Sequence, residues 1–169
     1  MTRARRNIEL KSRCPDLAAA QAAAAAVGAR PAGLLRQVDT YFHCRQGRLK
    51  LRQINNDRAE LIWYARPDDP AARASDYHLY PVPDAASLLT ILSQALGVRQ
   101  VVEKRRELLL WENVRIHLDD VAGRGTFVEF EAVLQQGDDE SASYARLEKL
   151  AAALKLSPED RIATSYGDM

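Results

Sequence analysis

The feature that most constrains this chain is a parity: run after run alternates charged and apolar residues with period two, the mark of strands whose two faces meet different surroundings. In Asn7–Arg13 one face carries Asn7, Glu9, Lys11 and Arg13, and the other carries Ile8 and Leu10. The pattern returns as Arg48, Lys50, Arg52 against Leu49 and Leu51, and as Glu60, Ile62, Tyr64, Arg66 against Leu61 and Trp63. Further on, Lys104 and Arg106 share one face, as do Arg115, His117 and Asp119, and Phe127, Glu129 and Glu131. Val114, Ile116, Leu118, Val128 and Phe130 fall on the opposite faces. A solvated sheet face spreads both signs of charge evenly. Here cations gather on some strands and carboxylates on others. A sheet that curls with its charged face inward brings those groups into a tunnel, and so many buried cations need a polyanion or water beside them.

Helices fit between the runs. Asp16 caps an alanine-rich stretch, Leu17–Val27, that Gly28 stops, Asp84 caps Leu88–Leu96 before Gly97, and a third helix covers about Ser141–Leu156. Ser157-Pro158-Glu159-Asp160 reads as a short helix start. Pro31 and Gly33 indicate a loop before a strand at Gln37–Phe42, and Pro67–Pro83 reads as a long connection with at most a short strand at Tyr77–Tyr80. Strands are expected near Val101–Glu107, Leu108–Leu118 and Thr126–Leu134. With no repeat or change of composition, residues 1–169 read as one α+β domain on an antiparallel sheet of seven or eight strands, long enough to curl into a barrel.

Bulk composition narrows the partners. Lys and Arg total 24 against 23 Asp and Glu, a net charge of +1 that argues against a protein coating nucleic acid. No apolar run approaches the roughly 20 residues that span a bilayer, and Arg3, Arg5 and Arg6 precede Glu9 without an apolar leader segment, so no membrane partner and a cytoplasmic location are expected. Cys14 and Cys44 read as free thiols.

The converging charges suggest polyphosphate chemistry. Lys11, Arg13, Lys50, Arg52, Lys104, Arg106 and Arg115 can match successive phosphoryl oxygens, Arg as a bidentate fork and Lys as a point charge. Glu9, Asp119, Glu129 and Glu131 supply hard oxygens for Mg²⁺ or Mn²⁺. Cations beside carboxylates suit phosphoryl or nucleotidyl transfer, where catalysis is mostly positioning and charge neutralisation.

Asn7-Ile8-Glu9-Leu10-Lys11 resembles the Glu-x-Glu-x-Lys signature of the CYTH proteins, the triphosphate tunnel metalloenzymes that include class IV adenylate cyclases, thiamine triphosphatases and inorganic triphosphatases. The segments Gln37–Phe42, Gly47–Arg52, Glu103–Arg106, Arg115–Asp119, Gly125–Glu131 and Ser165-Tyr166 follow in the family's order, so the resemblance covers essentially the whole chain. It implies a closed, eight-stranded antiparallel barrel with a charged tunnel and helices packed outside. It also implies that the seven cations named above hold the triphosphate, that Glu9, Asp119, Glu129 and Glu131 bind metal, and that Glu9, Lys11, Glu129 and Glu131 serve catalysis. One position departs from the signature: its first Glu is Asn7, an amide oxygen without charge.

The function expected from this reading is metal-dependent hydrolysis of the terminal phosphoanhydride of an inorganic or organic triphosphate. A class IV cyclase making cyclic AMP and pyrophosphate from ATP is the alternative, and a binding module without turnover is a third reading that Asn7 keeps open. The partner would be a small-molecule triphosphate, and the chain a monomer or homodimer. His117 reads as a hydrogen-bonded spacer ahead of a proton donor to a leaving group, Asp39 and Glu60 as groups that orient neighbouring cations, and Tyr41 and Tyr64 as either base-stacking or wall residues.

Overall fold

A computed structural model describes residues 5–169; Arg3 lies outside the described residues. Eight antiparallel strands close into a barrel: β1 (Arg5–Arg13), β2 (Arg30–Phe42), β3 (Arg48–Ile54), β4 (Arg58–Ala65), β5 (Arg73–Pro81), β6 (Val98–Trp111), β7 (Val114–Val121) and β8 (Gly125–Leu134). Their order around the wall is β1-β5-β4-β3-β2-β6-β7-β8. Six of the joins link strands consecutive in sequence or form the β2–β6 ladder, and a seventh pairs β1 with β5. The eighth is the seam where β1 pairs with β8, Glu9 opposite Glu131 and Lys11 opposite Glu129. Closure leaves no exposed edge strand.

Three helices lie outside: α1 (Leu17–Ala26), α2 (Ala85–Leu96) and α3 (Glu140–Ala153). Asp16 caps α1 by accepting from the Ala19 N–H at 2.9 Å, and Asp84 caps α2 by accepting from Ser87 at 3.0 Å, each contributing about 1 kcal/mol. The apolar parity of β1, β7 and β8 faces outward under α1 and α3, where Ile8, Leu10, Ile116, Phe130, Leu147 and Leu150 form the main core. A smaller cluster of Phe42, Leu51 and Ala59 is covered by Leu88, Leu89 and Leu92 of α2. The hydrophobic core is therefore a sleeve around the barrel, and the charged parity is left to face inward. Trp111 belongs to that sleeve, donating to the Val27 carbonyl at 3.0 Å. None of the helices of the described residues is long and apolar enough to cross a membrane. Both cysteines are free, Cys14 buried and Cys44 exposed.

Four sequence expectations need correction. The stretch Pro67–Pro83 is not mainly a connection: it contains β5, nine residues that pair with both β4 and β1 and complete the ring. The boundary expected between Glu107 and Leu108 falls instead at Glu112–Asn113, where Glu112 adopts φ +50° and Trp111 pairs with Val114. Pro31 and Gly33 do not precede the second strand but lie within it, at a bulge where β2 runs alongside Leu108–Leu110 of β6. α2 likewise starts at Ala85, one residue past its cap.

Candidate active site

The inward parity of the strands encloses a cavity of about 270 Å³. Arg5, Lys11, Lys50, Arg52, Arg66, Lys104, Arg106 and Arg115 line it, against the carboxylates Glu9, Glu60, Glu129 and Glu131. Eight cations facing four carboxylates leave a positive excess, only partly offset by Asp39 and Asp119 buried in the wall behind them. The cavity carries a net positive charge.

One pole of the cavity is built on β2, β3 and β6. Asp39 is completely buried and accepts from three cations: Arg52 Nε at 2.7 Å, Lys104 Nζ at 2.8 Å and Lys50 Nζ at 3.1 Å. Burial alone would raise the Asp39 carboxyl, but Arg52, Lys104 and Lys50 outweigh it and hold it well below the usual carboxylate range. Lys104 pays for the crowding: burial, with Arg52 and Arg106 nearby, pushes its ammonium down to about 7 despite Asp39. Asp39 thus orients cations as the sequence suggested, and the Tyr41 ring lies 5.3 Å from Lys50 Nζ.

The other pole is built on β1, β7 and β8. Glu129 meets Lys11 Nζ at 3.2 Å, Arg106 at 2.8 Å and His117 Nδ1 at 3.3 Å. Burial would raise its carboxyl too, but Lys11, His117 and Arg106 hold it well below the usual range. Glu9, across the seam, is raised by burial and by the Glu129 charge, although Arg66 sits at 2.7 Å and Arg73 at 3.2 Å. Glu131 is the freest of these carboxylates, with Arg115 and His117 no closer than 4.0 Å.

Divalent-ion chemistry fits this pole. One ligand atom each from His117, Glu129 and Glu131 lies within 4.8 Å of the others. Asn7, which also lines the cavity, has a buried Oδ1 without a hydrogen-bond partner, an oxygen donor left available by the chain itself. The residues present can therefore hold a divalent ion on one imidazole and several hard oxygens, the oxygens being the donors suited to Mg²⁺ or Mn²⁺.

Not every residue singled out in the sequence faces the cavity. Arg13 is exposed at the end of β1, its guanidinium 5.5 Å from the Phe127 ring. Asp119 is fully buried, and its oxygens are engaged by Arg106 at 2.7 and 2.6 Å and by the Tyr166 hydroxyl at 2.8 Å. Asp119 therefore holds Arg106 in place from behind the cavity lining. His117 is hydrogen-bonded through Nδ1 to Glu129 at 3.3 Å, and its Nε2 lies 4.0 Å from Glu131. Glu60, expected to orient a cation, has no hydrogen-bond or ion-pair partner among the described residues.

Other contributors escaped the sequence reading. Arg66 shares the parity of Ile62 and Tyr64, a signal that could have placed it in the site, and its guanidinium is 98% buried beside Glu9. Arg73 had no such signal, lying in a stretch that reads as a connection. The C-terminal turn (Tyr166–Asp168) reaches into the barrel end: Lys11 Nζ sits 3.7 Å from the Tyr166 ring centroid, and Arg124 donates to the Tyr166 carbonyl. Gly167 packs so closely on Tyr41 that a Cβ there would lie 2.7 Å from the ring. Asp168 pegs the turn to Arg48 at 2.6 Å and Arg99 at 2.5 Å.

Known structures share this architecture. The PH1012 protein of Pyrococcus horikoshii OT3 superposes with a TM-score of 0.85 at 24% identity, over 96% of this chain and 98% of that one. A candidate adenylate cyclase from Vibrio parahaemolyticus gives 0.73 at 22% identity, over 96% and 95%. A candidate adenylyl cyclase from Hippeastrum, described as having a dominant triphosphatase activity, gives 0.65 at 16% identity, over 95% and 91%. At these identities the likeness is one of fold, and no curated protein matches the chain. The sequence pattern of the CYTH domain, however, matches residues 5–166, from the first strand of the barrel to the tyrosine that packs into its end, and the chain belongs to the CYTH domain family.

Proposed function

We propose that the protein binds a triphosphate inside the barrel and hydrolyses its terminal phosphoanhydride bond with the help of Mg²⁺ or Mn²⁺. The observation that carries this reading is the cavity itself, where eight cations from several strands converge on a space that also holds a metal-capable carboxylate pole. Lys50, Arg52 and Lys104, held by Asp39, grip one part of the polyphosphate, and Lys11, Arg66 and Arg106 grip the part nearest Glu9 and Glu129. Arg115, half exposed, reaches the chain of phosphates from β7. Such fixed donors stabilise charge that shifts onto the bridging oxygen as the bond breaks.

His117, Glu129, Glu131 and Asn7, with Glu9 across the seam, would hold the divalent ion, which would supply further charge neutralisation on the phosphoryl oxygens. Water attacks the terminal phosphorus, and the bond to the bridging oxygen breaks with its electron pair leaving on the diphosphate. Glu131, whose nearest side-chain cations stand at 4.0 Å, keeps one carboxylate oxygen to accept the proton of the attacking water while the other would serve the ion. A cytoplasmic setting accords with the two free thiols.

The test is a product assay. The purified protein is incubated with ATP, tripolyphosphate and thiamine triphosphate, each with Mg²⁺ and with Mn²⁺. Orthophosphate release is the expected result. Cyclic AMP with pyrophosphate as the main products would make the protein a cyclase, and tight binding without turnover of any substrate would make it a binding module.

A further inference from the structure

The arginines and the lysines of the cavity are held in different ways. Arg52 presents two nitrogens to Asp39 at 2.7 and 2.8 Å, and Arg106 two to Asp119 at 2.7 and 2.6 Å, a planar fork that fixes each head group. A lysine has no fork: its ammonium is a point charge on a flexible stem, and one carboxylate leaves it free to swing. Lys11 meets Glu129 at 3.2 Å, and Lys104 meets Asp39 at 2.8 Å. The second restraint on each lysine is an aromatic ring. Lys50 has two from the neighbouring strands, Tyr41 at 5.3 Å and Tyr64 at 5.4 Å. Lys11 and Lys104 share one, the Tyr166 ring, whose centroid lies 3.7 Å from the first Nζ and 5.5 Å from the second.

Tyr166 belongs to no strand, yet its place is fixed from several sides. The segment leading to it is tied to β1 where the Ile162 N–H donates to the Lys11 carbonyl at 2.9 Å, its hydroxyl donates to Asp119 at 2.8 Å, and Phe127 meets its ring in a T at 5.1 Å. Resting on the triphosphate reading above, we propose that Tyr166 is a positioning residue for phosphate binding: its ring holds the ammonium groups of Lys11 and Lys104, one from each pole, where they face the cavity. A ring attracts an ammonium through its quadrupole and leaves the positive charge in place, whereas a second carboxylate would cancel it. The phosphates touch the two lysines, and Tyr166 acts through them, because the negative face of a ring repels an anion. The C-terminal turn thus sets how tightly the barrel grips its ligand.

Calorimetric titration of tripolyphosphate in EDTA reads binding apart from metal-dependent turnover. Tyr166→Phe keeps the ring and should bind within about threefold of the parent. Phenylalanines carrying one, two and three ring fluorines at the same position drain the negative face while the shape stays nearly constant, and affinity should fall stepwise, by about tenfold at the third fluorine. Tyr166→Leu, apolar but without a ring, should bind about tenfold more weakly than Tyr166→Phe. The fluorinated series settles the point by itself should the leucine variant fail to fold, and a ring with a purely structural role would leave that series flat. An affinity that does not change with fluorination, or a folded Tyr166→Leu that binds as tightly as Tyr166→Phe, would overturn the inference and leave the triphosphate reading standing. Failure of tripolyphosphate to bind the parent protein would overturn both.

Discussion

The two poles of the cavity use the same residue types to opposite ends. At the Asp39 pole one buried carboxylate restrains three cations, so the surplus is positive and the group at the centre never needs to face the ligand. At the Glu129 pole carboxylates sit at the centre, Glu9 on β1 and Glu129 on β8, and cations steady them from around the ring: Lys11 of β1, Arg66 just past β4, Arg73 of β5 and Arg106 of β6. On the proposed function the first pole would cradle an anion and the second would seat a cation. A charged tunnel of this kind owes its chemistry less to its net charge than to which sign sits in the middle of each cluster.

The comparison can be broken most severely at Asp39. Asp39→Asn removes the central anion of the first pole and leaves three buried cations uncompensated, a loss of about 3–5 kcal/mol in urea unfolding. Added tripolyphosphate should restore more stability to the variant than to the parent, because the ligand replaces the missing charge. The second pole should fail differently. Glu129→Gln should lower turnover on the order of 100-fold, the scale of removing one preorganised charged group, and should weaken Mn²⁺ binding read by calorimetry. Unchanged Mn²⁺ affinity would take Glu129 out of the cation seat.

Titration sharpens the contrast further. Lys104 falls to about 7 in the folded chain, against roughly 10.4 when unfolded. Below pH 7 both states hold its proton and its contribution is flat. Between about 7 and 10.4 the unfolded chain binds the proton and the folded chain does not, so stability rises with pH, by at most about 1.4 kcal/mol per unit. Affinity for tripolyphosphate should move the other way over the same window, since the neutral amine no longer attracts phosphate. Lys104→Met should remove both slopes in melting and binding series. The smallest effect is expected at the link between the poles: Tyr166→Phe deletes the hydroxyl that donates to Asp119 and should cost about 1 kcal/mol of thermal stability.

Most of the barrel was legible because its faces are unlike. Ile8 and Leu10 against Glu9 and Lys11 admit one orientation of β1, and a one-residue slip would bury both charges under the helices. β5 was obscure because the same logic fails there: Ala74 and Asp76 share one face while Ser75, Tyr77 and Leu79 turn inward, so neither face is consistently charged or consistently apolar. The turn after Trp111 was obscure because Glu112 takes a positive φ without the glycine or asparagine that would announce it. Within the site, parity correctly brought Lys50, Arg52, Lys104 and Arg106 inward, but it cannot say which carboxylate is already occupied. Asp119 and Glu131 look alike in sequence, and only the packing of Arg106 and Tyr166 on the former tells them apart.

The seam has a kinetic consequence. β1 is the first strand in the chain, yet its neighbours are β5 and β8, so Glu9 must find Arg73 and Glu131 across long stretches of unformed chain. Hairpins such as β3–β4 and β7–β8 can form locally and early, whereas the ring closes only when the most distant strands meet. Folding should therefore be slow for a protein of this size, in the millisecond-to-second range, with the closure of β1 as the step that waits.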